Sequence, residues 1–136
     1  MYQFKLPNGI VLYKWPHKID PTEELMKKEL INLGFKAYDL QTCGPWFERS
    51  SHAHNYEEIR AAVEGCITFH FAEFPITIEA GDIVIIPPGI PHEAISHNSR
   101  PFKAFKGSRS GERSVTEFGD GRGSIEDLAS QKINKG

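Results

Sequence analysis

From residue 35 onward, polar and apolar positions alternate with a period of two, and glycine or proline interrupts the alternation every few residues. Such a rhythm predicts short strands rather than helices. The spacing places them at Lys36–Gln41, Trp46–His52, Glu58–Glu64, Ile67–Phe71, Ile76–Glu79, Asp82–Ile86, His92–Ser96 and Lys103–Lys106. Many short strands with turn signals between them imply a sandwich or barrel and not a parallel sheet with crossovers. Before this region stands a predicted hairpin over residues 1–16. Its Asn8-Gly9 pair suits a two-residue type I′ turn, which pairs Leu6 with Val11, Phe4 with Tyr13 and Tyr2 with Trp15 on one face. Gln3, Lys5 and Lys14 then share the other face, and so much aromatic area must cover the barrel or a second subunit. One helix is expected over 21–33. Asp20-Pro21-Thr22-Glu23 supplies an N-cap, a first-turn proline and a capping-box glutamate, and Gly34 supplies the stop. Leu25, Met26, Leu30 and Leu33 recur at helical spacing, as a packing helix requires.

These elements make one domain over residues 1–118, with the barrel at 36–106. Residues 119–136 are expected to form a tail, with the Gly119–Gly123 stretch as a mobile linker. There Ser124-Ile125-Glu126-Asp127 predicts a short helix carrying Ile125, Leu128, Ala129 and Ile133. At 136 residues the chain is long enough for a core without staples. A formal net charge of −2 gives no electrostatic reason to expect nucleic acid or an anionic membrane as a partner. No apolar run reaches the roughly 20 residues of a membrane span. Met1–Leu6 alternates polar and apolar residues, so it does not read as a signal peptide. Two cysteines, Cys43 and Cys66, are expected as reduced thiols in a cytoplasmic protein.

The candidate chemistry lies in two blocks. The first runs His52, His54, Glu58 and Gly65; the second runs Gly81, Pro87, Gly89 and His92. Strand alternation puts His52 and His54 on one face. A turn at Asn55-Tyr56 brings Glu58 back beside them, and the Pro87-Pro88-Gly89 turn delivers His92. Glu57 is the alternative carboxylate, but strand parity favours Glu58, which shares its phase with Arg60. Three imidazoles and a carboxylate suit one divalent metal ion such as Fe, Ni, Mn, Cu or Zn, and the absence of thiolates argues against a structural zinc cage. Four protein ligands on an octahedral ion leave two positions for a bidentate oxygen substrate, or for substrate and dioxygen.

The two blocks resemble the paired motifs of the cupin superfamily over about residues 38–106. The resemblance implies an all-β double-stranded β-helix (jelly-roll) barrel with metal ligands at His52, His54, Glu58 and His92. It also implies a homodimer. This chain departs from the motifs twice. Trp46 stands where a glycine usually opens the first motif, and Ser96 where an asparagine usually ends the second. The run His54-Asn55-Tyr56-Glu57-Glu58-Ile59-Arg60, with Gly65, Gly81-Asp82 and Pro87 to His92, is most similar to acireductone dioxygenases. That likeness implies a dioxygenase-like relative.

If even-numbered residues of the first motif strand face inward, Trp46, Glu48 and Ser50 share the side of His52. Glu48 and Glu57 are then the candidate general bases. Arg60 either bridges to Glu48 or clamps an anionic substrate. Tyr56 stands at the mouth, and Ser96 flanks His92 as part of a weakly polar wall; Trp46, Tyr56, Arg60 and Ser96 are thus the candidate substrate contacts. His70 reads as a rim or core residue, and His17 and His97 as solvated. Two functions follow: a metalloenzyme of dioxygenase or isomerase type, or a binding protein for a sugar or carboxylate in which the metal orients the ligand or stabilises the fold. An empty barrel is the third case. No DNA-binding helix pair is present.

Overall fold

A computed structural model describes residues 1–97 and 100–109. Among these residues, ten strands form two antiparallel sheets. They are β1 (Tyr2–Lys5), β2 (Val11–Lys14), β3 (Phe35–Cys43), β4 (Glu48–His52), β5 (Glu58–Glu64), β6 (Cys66–His70), β7 (Pro75–Glu79), β8 (Ile83–Ile86), β9 (His92–Ser96) and β10 (Phe102–Arg109). The larger sheet runs β1-β2-β8-β5-β10-β3 and the smaller β4-β9-β6-β7. One helix, α1 (Glu23–Asn32), lies between β2 and β3 in the chain.

The larger sheet buries both faces. Ala62, Val84, Ile86, Phe102 and Ala104 point toward the smaller sheet, where they meet Ile67, Phe69, Ile78 and Ala94. Ile59, Ala61, Ile83, Ile85 and Phe105 point the other way, against Met26 and Leu30 of α1. This two-sided burial explains why β8 reads Ile-Val-Ile-Ile without a polar position: all four residues are buried. Met26 and Leu30 are completely covered, which at about 1.5–3 kcal/mol each is enough to hold a ten-residue helix that would be marginal alone.

Two local expectations need correction. The hairpin register differs by one residue, with Lys5 opposite Val11, Phe4 opposite Leu12 and Tyr2 opposite Lys14. The cause is Pro7. A two-residue Asn-Gly turn would ask residue 7 to donate its amide to Ile10, and proline has none. Leu6 N donates to Ile10 O at 2.8 Å instead, around a three-residue loop with Asn8 and Gly9 at positive φ. The apolar side chains therefore divide. Val11, Tyr13 and Trp15 join the helix-side core, Leu6 and Leu12 the core between the sheets, and Tyr2 and Phe4 stay exposed. The helix starts later than expected as well. Thr22, not Asp20, is the N-cap, accepting a hydrogen bond from Leu25 N, and Pro21 precedes the helix. The predicted tail helix lies outside the described residues.

The hairpin is fastened to the barrel at the start of the second motif. The buried Asp82 carboxylate accepts from Lys14 Nζ at 2.7 Å, from Trp15 N at 3.0 Å and from Glu79 N at 2.9 Å. Gly81 beside it has φ +99, and a Cβ there would lie 2.2 Å from Cγ of Trp15. Glycine is required at this position on both counts.

Candidate metal centre

His52 and His92 stand directly opposite one another on β4 and β9, so both imidazoles project to the same side. His54 follows on the loop, and its carbonyl accepts from Gly89 N at 2.7 Å, which fixes the first motif to the turn of the second. Glu58 opens β5. One ligand atom from each of His52, His54, Glu58 and His92 lies within 4.8 Å of all the others. Glu58 is 4% exposed and His92 1%.

The imidazoles are oriented from behind. His52 Nδ1 lies 2.8 Å from Ser50 O and His92 Nδ1 2.8 Å from Ile90 O. A carbonyl only accepts, so each Nδ1 carries a proton, and in the neutral ring each Nε2 presents its lone pair to the cluster. Yet His92 Nε2 faces Glu58 Oε1 at 3.0 Å, and His54 Nε2 faces the same oxygen at 3.2 Å. A proton on an imidazole or a metal cation among these groups satisfies such approaches. Neighbouring ligands on an ion with bonds of about 2.1 Å are themselves about 3 Å apart, so the donor set fits a divalent metal.

The second oxygen of Glu58 is held by Arg60, 2.8 Å away, which leaves Oε1 aimed at the imidazoles. Burial alone would push the Glu58 carboxyl up, but Arg60, His54 and His92 outweigh it and hold it well below the usual carboxylate range. Burial, reinforced by the neighbouring His92, lowers His52 to about 4. The ligands therefore stand in metal-binding form, carboxylate ionised and this imidazole neutral, at neutral pH.

The remaining candidates fall in different places. Arg60 bridges to Glu58 and not to Glu48. Glu48 lies opposite Ile95, while Arg49 lies opposite Ala94 of the inner core. A bulge between Arg49 and His52 inverts the assumed parity, so the exposed Arg49 shares the face of His52 and Glu48 lies on the other. Glu57 also points away, held by Arg109 through two bonds of 3.0 and 2.7 Å. Tyr56 stacks on His54 with ring centroids 4.6 Å apart. Ser96 is fully buried. It donates to Gly44 O and accepts from Phe47 N, tying the turn before β4 to β9. Trp46 is 67% exposed in that turn with φ +57, so β4 begins only at Glu48. His70 borders a groove on the outer side of β6 and β9 with Ser51, Pro91, Glu93 and Ile95, away from the four ligands. His97 is not simply solvated, since its Nε2 hydrogen-bonds Thr68 Oγ1 at 2.6 Å. Arg49 and Lys106, which the register places on the face of the ligands, were missed. The alternation on β10 carries a signal for Lys106, whereas the bulge that turns Arg49 has no mark in the sequence.

A profile described as Cupin domain matches residues 40–105. Residues 40–105 are thus a cupin domain. Among solved structures, this cupin is similar to RmlC from Streptococcus suis, solved in complex with dTDP-D-xylose. The TM-score is 0.53 at 13% identity, covering 74% of this chain and 64% of that one. A cupin-2 domain containing protein from Shewanella frigidimarina gives a TM-score of 0.46 at 22% identity, covering 56% and 71%. DMSP lyase DddQ from Ruegeria pomeroyi gives 0.49 at 28% identity, covering 60% and 41%. These likenesses concern the fold and leave the reaction open. No curated protein sequence matches the chain. No helix among the described residues is long and apolar enough to cross a membrane.

Proposed function

We propose that this cupin is a mononuclear metalloenzyme of dioxygenase type, acting on a small molecule that presents two oxygen donors. The observation that carries the reading is the convergence of His54 and His92 Nε2 on one buried carboxylate oxygen, with His92 Nδ1 already committed to a backbone carbonyl. His52, His54, Glu58 and His92 would hold the ion. The metal, Fe, Ni, Mn or Zn by its donor set, supplies Lewis acidity and a template for a chelating substrate. Arg60 keeps Glu58 ionised and aimed, and the backbone carbonyls of Ser50 and Ile90 keep His52 and His92 in one tautomer. Tyr56, stacked on His54, limits access at the mouth. Neither Glu48 nor Glu57 faces the cluster, and this favours chemistry carried at the metal over a protein general base.

The test is elemental analysis of untagged protein, then oxygen uptake with enediols, β-diketones and catechols. The reading expects about one metal per chain and uptake with one of these classes. In His54→Ala, metal and turnover are both lost. Turnover persisting in metal-free protein would overturn it. The exposed Tyr2 and Phe4 on β1 further suggest a homodimer, for which sedimentation of Phe4→Glu against the parent chain is the check.

A further inference from the structure

The outer face of the smaller sheet carries a groove that the metal centre does not use. On β6 and β9 the core takes Ile67, Phe69 and Ala94, so alternation turns His70, Glu93 and Ile95 outward. His70 and Glu93 are cross-strand neighbours there. With Ser51 of β4 they border a groove of about 340 Å³, whose apolar lining includes Phe71, Pro91 and Ile95. That is enough room for a small molecule. Ser51 precedes His52 and Glu93 follows His92, so the groove backs onto two strands that carry ligands.

The chemistry of this rim is one-sided. Ser51, His70 and Glu93 are exposed, and among the described residues none of their side chains has a hydrogen-bond or ion-pair partner. They do not bond to one another either, so they are not a nucleophile with its base, and the groove reads as a binding site. Each offers an acceptor: a carboxylate, a neutral imidazole nitrogen and a hydroxyl oxygen. The outward strand positions of this sheet also carry Glu48 and Glu79, and no lysine or arginine. Arg100, whose charge acts on the Cys66 thiol, stands at the opposite end of β6 from His70. A cation in the groove therefore meets carboxylate charge with no cationic side chain beside it. A primary ammonium has three N–H donors, one for each acceptor, and an alkyl stem suits the apolar lining.

We propose that the groove binds a small primary alkylamine, its ammonium at Glu93, His70 and Ser51 and its stem along Pro91 and Ile95. This site stands independently of the metal reading.

The probe is pentylamine, titrated into full-length nitrogen-15-labelled protein in the presence of zinc and followed by amide chemical shifts. The shifts are expected to saturate and to cluster at Ser51, His70, Glu93 and Ile95. N,N,N-Trimethylpentylammonium keeps charge and stem but has no N–H, and 1-pentanol has no charge. Each should bind roughly tenfold or more weakly than pentylamine. Glu93→Gln should weaken pentylamine about tenfold and His70→Phe about threefold. Both side chains are exposed, so neither change opens the core. Absence of saturable shifts at the groove would overturn the proposal, as would equal binding of the quaternary ammonium or undiminished affinity in Glu93→Gln. Shifts centred on His54 and Tyr56 would place the amine at the metal centre and defeat it too. A lysine-containing peptide that moves the groove amides where pentylamine does not would equally reject it, assigning the groove to a protein side chain.

Discussion

Arg60 and Glu58 show how one ion pair prepares a ligand. Glu58 is almost wholly buried, and Arg60 is the neighbour that contributes most to keeping it ionised. Arg60→Met should therefore raise the Glu58 carboxyl and weaken metal binding by about 10–100-fold, the usual effect of losing a partner behind a ligand. Competition against a fluorescent chelator would read the change, and Arg60→Lys should recover part of it because it keeps charge but not the fork. His52 gives a pH dependence. Its folded value of about 4 lies below the 6.5 of an unfolded histidine, so between these values the unfolded chain binds more protons. Stability of the metal-free protein is full above about pH 6.5 and falls as the pH drops toward 4. The lowered Glu58 carboxyl acts in the same direction, with stability present above 4.5 and lost in more acid solution. Chemical denaturation of chelator-treated protein at pH 7, 6 and 5 should show a steady decline, and in His52→Phe a shallower one.

At the scale of elements, the turn Gly44–Phe47 carries a tension visible in its dihedral angles. Trp46 occupies the left-handed region that costs a side chain about 1–2 kcal/mol, and its ring is mostly in solvent. Trp46→Gly should relieve that strain at little packing cost and raise the thermal midpoint by a few degrees, as calorimetry would show. The same angle explains why a glycine usually opens this motif, a departure that the chain's letters display without their cause. Other features were readable for physical reasons. Glu58 could be preferred to Glu57 because strand parity is a strong rule within a regular segment such as β5, whereas His54 joins the cluster from the loop after β4. Glu48 was misplaced because a bulge adds a residue where no glycine or proline announces it. Pro7 did announce the altered hairpin, since a residue without an amide hydrogen cannot close a two-residue turn.

Across the whole molecule, the larger sheet joins two cores, and the site borders only one. Leu30→Ala, which opens space under the helix, should cost about 2–5 kcal/mol in urea unfolding while leaving metal stoichiometry unchanged in the folded fraction. The barrel class was legible because strand rhythm survives local errors of register. The helix's place over the outer face was not, because periodicity says which residues are buried and not against what. The N-terminal hairpin has a protective consequence. β2 lies between β1 and β8, and β8 is buried on both faces. A chain lacking its first sixteen residues would present Ile83–Ile86 as an uncapped rim, with a row of backbone amides and carbonyls seeking a foreign strand, and it should precipitate or form fibrils where the full chain stays dispersed.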